Sequence, residues 1–308
     1  MKKRINVSLI TTVLNEKDNI EEFLKSVINQ TKKPEEFIIV DGGSTDGTYE
    51  ILEKYSKKYK WIKVFKVKGA SIGKGRNIAI EKAKNEIIAC TDAGCILEKN
   101  WLKEITEPFN KKSVDVVVGI YEPYYTNDFE YFQGLVVVPP KEKIFMSPSR
   151  MSSRSIAFRK KCWEKINGYP DLNTGEDTYF NLKLINSGCK FYFAKNAIVY
   201  WMMRKNLKEF FTQFYRYGLG DKKSGSIFKM KNNLIFVIMF WVYVFSLLFS
   251  FVFFFSGFVL LSFLFLLYLI AEGLKLAIIT KKIKGIIYGP ILMFFKRVGY
   301  ALGVSIGR

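Results

Sequence analysis

Glu36-Phe37-Ile38-Ile39-Val40-Asp41-Gly42-Gly43-Ser44-Thr45-Asp46-Gly47-Thr48 begins as a continuous apolar run and ends in a polar, glycine-rich loop. A run with apolar residues on both faces suits a strand buried inside a parallel sheet. A helix to about Tyr59 is expected after the loop. Upstream, residues 7–14 read as a first buried strand. Residues 19–29 read as a helix, with Ile20, Phe23, Leu24, Val27 and Ile28 on one face. Downstream, residues 62–67 form a third predicted strand, and residues 86–91 a fourth that ends at Asp92. Between these two, residues 73–75 read as a loop and 77–83 as a helix. The alternation predicts an α/β domain with a doubly wound, mostly parallel, Rossmann-like sheet. Ligands of such sheets sit beyond the carboxyl ends of the strands. Asn15, Glu16, Asp41 and Asp92 all fall there.

Farther along, residues 114–138 read as strand-like with aromatic loops, and 158–163 as the opening of a short helix. Residues 177–187 have helical spacing, while 191–193 and 197–200 read as short strands. The basic and apolar start of the chain, residues 1–14, lacks a small-residue cleavage site and reads as the first strand, not as a signal peptide.

The 308 residues carry 48 Lys and Arg against 28 Asp and Glu, a net charge of +20. No zinc-finger spacing or RNA-binding aromatic motif accompanies this charge, so nucleic acid is not an expected partner. Phospholipid or a phosphate-bearing substrate accounts for it better. The chain has no histidine, which removes histidine triads, histidine bases and most catalytic zinc sites. Cys90, Cys95, Cys162 and Cys189 form no CxxC pair, so free thiols are expected.

Residues 234–271 contain no charged side chain. One membrane-spanning helix needs roughly 20 apolar residues, so this tract is long enough for two. Ser256-Gly257 is the expected turn, giving spans of about 234–255 and 258–279. Lys222, Lys223, Lys229 and Lys231 precede the tract, and Lys275, Lys281, Lys282 and Lys284 follow it. Positive charge at both ends places both in the cytoplasm. Residues 285–305, broken by Lys296 and Arg297, read as an interfacial helix. The expected domains are therefore residues 1–230 and a membrane-anchoring region, 231–308. A multi-pass protein of the cell membrane with a cytoplasmic catalytic domain is expected.

Several motifs stand in a fixed order along the first domain. They are Asn15-Glu16, the Asp41-to-Thr48 loop, Gly75-Arg76-Asn77, Thr91-Asp92-Ala93-Gly94, Gly168-Tyr169-Pro170 and Gly175-Glu176-Asp177. Together they resemble the family 2 glycosyltransferases over about residues 5–230. The resemblance implies the GT-A fold and a nucleotide-sugar donor, a UDP- or GDP-sugar. It places Thr12, Asn15, Glu16, Asp41, Arg76 and Asp92 around that donor. It assigns Asp92 to a divalent metal, Mg2+ or Mn2+, on the diphosphate. The family's partner carboxylate two residues on is here Gly94. It assigns Asp177 to the acceptor hydroxyl as base, with Glu176 beside it.

The residue chemistry stands alongside this. Asp41 can accept from a base N–H or ribose hydroxyls where glycines let the backbone approach, or it can cap the turn. Asp46 fits the capping role better. Arg76 offers forked donors to a base carbonyl or phosphate. Without histidine, a carboxylate must do the acid–base work, and Glu176-Asp177 can do it or simply cap a helix. Gln213, Arg216 and Tyr217 share a helix face and resemble the Gln-x-x-Arg-Trp motif of processive synthases, with Tyr217 in place of the tryptophan. They are candidate acceptor contacts, and residues 148–150, Ser153, Arg154 and Ser155 are candidate acceptor or diphosphate contacts. The expected function is inverting sugar transfer to a polyprenol-linked saccharide or glycolipid. A polyprenyl-phosphate sugar synthase and a non-catalytic nucleotide-sugar binder remain as alternatives.

Overall fold

The computed structural model describes residues 5–146, 150–229 and 231–307, without the side chains of residues 226, 229, 231 and 232. It divides into two compact units. The first comprises the described residues up to 124 together with 138–202; the second comprises 125–137 and 203–307. The division falls after Met202, ahead of the expected boundary at 230, and the helix around Phe132 belongs with the C-terminal residues.

The chain runs β1 (Val7–Val13), α1 (Ile20–Ile28), β2 (Glu36–Asp41), α2 (Thr48–Lys58), β3 (Ile62–Lys66), α3 (Ile72–Lys82), β4 (Ile87–Cys90) and β5 (Cys95–Leu97). It continues through α4 (Trp101–Thr106), β6 (Val116–Tyr124), α5 (Asp128–Val137), α6 (Lys141–Ile144), β7 (Ile156–Arg159), α7 (Lys160–Lys165), α8 (Glu176–Asn186) and β8 (Phe191–Met202). Five helices complete it: α9 (Leu207–Lys223), α10 (Ser226–Lys229), α11 (Lys231–Phe253), α12 (Phe255–Thr280) and α13 (Gly285–Ile306).

The first unit is built on one sheet in the order β3-β2-β1-β4-β7-β6-β8-β5. The pairs β1–β2, β2–β3, β1–β4 and β6–β8 are parallel, while β4–β7, β6–β7 and β5–β8 are antiparallel. Every residue of β2 and β4 is buried, as their unbroken apolar runs require. Helix α1 turns Ile20, Phe23, Leu24 and Val27 to the core. The core gathers Ile10, Ile38, Ile88, Val116 and Phe158 from five neighbouring strands.

Several sequence expectations change. Gly73 and Gly75 lie inside the first turns of α3, not in a loop. A Cβ on Gly73 would sit 1.8 Å from the Pro170 carbonyl oxygen, and one on Gly75 would sit 2.7 Å from Thr12 Cγ2. The glycines therefore permit close packing; they do not break the helix. Ser71 caps α3 by accepting from the Lys74 N–H. Residues 114–138 split into β6 and α5, and Phe132 of α5 packs with Phe210, Phe214 and Leu292. Residues 158–163 split into the end of β7 and the start of α7, because Phe158 and Arg159 pair with β4. The two short strands near 191–200 are one strand, β8.

In the second unit α13 packs on α9 and α12, and less extensively on α5. Helices α11 and α12 are long and apolar enough to cross a membrane by length and composition, and only 6% of either is buried within the protein. The break between them is at Phe254 (φ −144°, ψ 79°), so Ser256 and Gly257 lie in the first turn of α12. The residues expected to form the turn continue the helix instead.

The α3 packing gives a stability prediction. Gly73→Ala should cost about 2 kcal/mol or more, because backbone atoms of the Pro170 segment must move. Urea unfolding of the detergent-solubilised protein measures it; an unchanged midpoint would contradict the packing.

Candidate active site

The carboxyl ends of β1, β2 and β4 carry the first half of the site. Asp41 closes β2 with its side chain fully buried. One carboxylate oxygen accepts from the Gly43 and Ser44 N–H groups, both at 2.8 Å. Its Oδ2 is buried with no protein partner among the described residues. A buried carboxylate oxygen is costly without a donor, so Oδ2 is a position for a ligand N–H or hydroxyl.

Asn15 and Glu16 join the loops after β1 and β2. Asn15 adopts φ +55°, its N–H donates to Ser44 Oγ, and its Oδ1 accepts from the Thr45 N–H. The Glu16 N–H donates to Thr48 Oγ1. Asp46 accepts from the N–H groups of Thr48 and Lys17 and from the Thr48 hydroxyl. These contacts fix the loop around Asp41. Thr12 is half-buried against Gly75.

The second half centres on Arg76. Its side chain is 2% exposed. One guanidinium nitrogen donates to Asp92 Oδ1 at 2.7 Å and the other to Glu176 Oε1 at 2.6 Å. Burial opposes its charge, but Asp92, with help from Glu176, holds the guanidinium firmly protonated. Its cation also lies 5.3 Å from the centre of the Tyr169 ring. Arg76 thus joins the end of β4 to the start of α8, and Glu176 lies one hundred residues beyond Arg76 in sequence.

Glu176 and Asp177 open α8. Burial raises the proton affinity of Glu176, and the neighbouring Asp177 adds to this; the Arg76 pair opposes both without cancelling them. Asp177 accepts from the Ser152 hydroxyl at 3.1 Å through Oδ2 and from the Thr178 N–H at 2.8 Å through Oδ1. Arg154 donates to Ser152 Oγ at 2.8 Å, reaches Asp92 Oδ2 at 3.7 Å and lies 3.8 Å over the Trp201 ring. Asp92, Arg76, Glu176, Asp177, Ser152 and Arg154 therefore form one polar cluster in the first unit.

Asn77 is the clamp that sequence reading did not single out. Its Nδ2 donates to the Tyr169 carbonyl, while its Oδ1 accepts from the Tyr169 N–H and the Trp163 indole. This fixes the segment leading into α8. The signal was present in Gly75-Arg76-Asn77 and Gly168-Tyr169-Pro170, but their contact is not a local property.

Other candidates lie outside the cluster. Ser153 bonds the Tyr169 hydroxyl, and Ser155 lies between the Trp101 indole and the Ala197 carbonyl, so both are structural. Arg150 donates to the Lys143 carbonyl, and residues 148 and 149 lie outside the described residues. Gln213 and Tyr217 belong to the second unit. Gln213 donates to the Tyr217 hydroxyl and accepts from Arg204, while Arg216 on the same helix is exposed.

Among the described residues no group of three or more His, Cys, Asp and Glu side chains could hold a metal ion. Asp92 is 30% exposed and both its oxygens face arginines. A Cβ on Gly94 would meet nothing within 4 Å, so no neighbouring group fills the place of the family's second carboxylate. This set fits an ion held by one carboxylate and otherwise by diphosphate and water.

The profile described as Glycosyl transferase family 2 matches residues 8–169, more than half of the chain. This chain belongs to family 2 of the glycosyl transferases. The related profile, Glycosyl transferase family group 2, matches residues 114–293. The glycosyltransferase AglE of Haloferax volcanii is 27% identical over 77% of this chain and 80% of its own length. A cholesterol galactosyltransferase of Borreliella burgdorferi is 30% identical, over 40% of this chain and 34% of its own. A mannosyltransferase of Pyrobaculum calidifontis, solved with GDP-Man and Mn2+, superposes with a TM-score of 0.63 at 16% identity, covering 99% of this chain and 87% of that one. The enzyme is a glycosyltransferase with the GT-A fold.

Arg76 yields the prediction for this site. Arg76→Gln leaves Glu176 and Asp92 without their shared cation and should cost about 3 kcal/mol. Adding Glu176→Gln should recover part of that loss. Chemical denaturation of the single and double variants measures both, and an unaltered single variant would contradict the bridge.

Proposed function

We propose that this glycosyltransferase moves one sugar from a UDP- or GDP-sugar to a membrane-associated acceptor, with inversion by a single displacement. The observation that carries the reading is the Arg76 bridge, which holds donor-side Asp92 and base-side Glu176-Asp177 in one cluster. Asp177 takes the proton of the acceptor hydroxyl. The freed oxygen bonds to the anomeric carbon as the bond from that carbon to the diphosphate breaks, and the nucleotide diphosphate leaves. Asp41 receives a donor hydrogen on Oδ2, from the base or the ribose. Arg76 holds Asp92 in place for the diphosphate end. Asp92 would hold a divalent metal bound with the donor, which would supply charge neutralisation on the diphosphate.

A lipid-borne acceptor is supported by the two apolar helices α11 and α12 and by the relative named for cholesterol. In this reading both helices cross the membrane. Lysines 222 and 223 before the tract, and 281, 282 and 284 after it, keep both ends cytoplasmic. The anchor confines the enzyme to the layer in which the acceptor diffuses, which raises its effective concentration. Arg154 of the first unit is an acceptor-side candidate, and Gln213, Arg216 and Tyr217 of the second unit are separate candidates.

Two experiments test the reading. Donor turnover is assayed with UDP-glucose and GDP-mannose and an octyl glycoside acceptor. Asp177→Asn should lower the rate by at least about 100-fold while donor binding by calorimetry persists. Retained activity would mean that the acceptor is already ionised, as a polyprenyl phosphate is, or that another base acts. For topology, single-cysteine variants at Lys223 and Lys284 should resist a membrane-impermeant reagent in intact cells, while one at Phe254 should react. Labelling at only one lysine-flanked end would rule out the double crossing.

A further inference from the structure

We propose that Ser152 is the positioning residue for the base: its hydroxyl proton is committed to Asp177, and Arg154 makes that commitment while pairing with Asp92. The proposal rests on reading Asp177 as the base. A serine oxygen carries one proton and two lone pairs. Ser152 Oγ accepts from the Arg154 guanidinium at 2.8 Å and from the Arg154 backbone N–H at 3.3 Å. Both donors are N–H groups, which cannot accept a proton in return. The hydroxyl proton then has one partner, Asp177 Oδ2, at 3.1 Å.

The surroundings hold this arrangement. Ser152 is 4% exposed, so bulk water does not compete for the hydroxyl. The Arg154 guanidinium is set by the Trp201 ring on its face and by Asp92 at its Nε. The second oxygen of Asp177 is occupied by the Thr178 N–H. With one donor on each oxygen, the carboxylate plane is fixed, and each oxygen keeps a lone-pair direction for the acceptor. The route from donor carboxylate to base thus has two arms, Asp92–Arg76–Glu176 and Asp92–Arg154–Ser152–Asp177.

Removing the Ser152 donor frees one Asp177 oxygen to turn, so the proton-taking step should slow while acceptor binding is kept. The other charged and titratable groups around the base are Glu176 on α8, Arg76 on α3, Tyr169 in the segment before α8, Arg154 ahead of β7 and Asp92 after β4. None of them is changed in a Ser152 variant.

The test uses the full chain in detergent, with an octyl glycoside acceptor and whichever of UDP-glucose and GDP-mannose turns over. In Ser152→Ala, loss of orientation should lower kcat by about tenfold while KM for the acceptor stays the same. Ser152→Thr, which keeps the hydroxyl, should restore kcat. If the alanine variant does not fold, Ser152→Cys, with its weak donor, should show the same direction. An unchanged kcat in a folded variant, while Asp177→Asn is inactive, overturns the role of Ser152 alone. An active Asp177→Asn overturns the base assignment and this proposal with it.

Discussion

A guanidinium removed from water needs compensating charge close by, and Arg76 meets that need with two carboxylates from distant parts of the chain. Asp92 follows β4, and Glu176 begins α8. The placement of both ends of this polar cluster depends on this one buried cation. Because Arg76 sits on α3, its position in turn depends on how closely that helix approaches β1 and the Pro170 segment, and two glycines set that approach. Small residues at 73 and 75 and a large cation at 76 therefore act as one device.

The same helix fixes the path into α8. Asn77 holds both backbone groups of Tyr169, Ser71 bonds Asp171, and the Ile72 N–H donates to Asn173. A side chain on a helix N-terminus is only as well placed as the segment that delivers it. Here that segment is secured at several points before Glu176 and Asp177 begin the helix. Glu176 lies on the buried side and takes up the charge of Arg76. Asp177 is left to face the hydroxyl of Ser152.

The chemistry of the donor end follows from what surrounds Asp92. Two arginines face its oxygens, and Gly94 leaves open space two residues on. Such a place does not build a metal site from protein ligands alone. It suits an ion that arrives with the diphosphate and finds one carboxylate already held in position. In the second unit the logic is different. There α13 lies against both α9 and α12, and the long faces of α11 and α12 remain uncovered by protein. Apolar surface of that extent calls for a non-aqueous neighbour.

Sequence alone determined the elements whose cause is local. The buried strands at 36–41 and 87–90, the amphipathic helix of Ile20 and Phe23, and the 38-residue uncharged tract were legible because apolar runs and spacings belong to neighbouring residues. The motif order also gave the family and the identities of Asp41, Asp92 and Asp177 as candidates. Local reading failed where the cause was a distant contact. Gly73 and Gly75 looked like a loop because nothing nearby announces the Pro170 carbonyl against which they pack. Phe158 looked helical because its pairing with β4 is out of sight in the sequence. Arg76 looked like a free donor for phosphate, and only the folded chain shows it held between Asp92 and Glu176. Ser152 carried no signal at all, since a serine gains its meaning from the direction of one proton. That direction is set by Arg154, Trp201 and Asp92, which tertiary packing alone brings together, because burial and hydrogen-bond geometry depend on what is near in space and not on what is near in the chain.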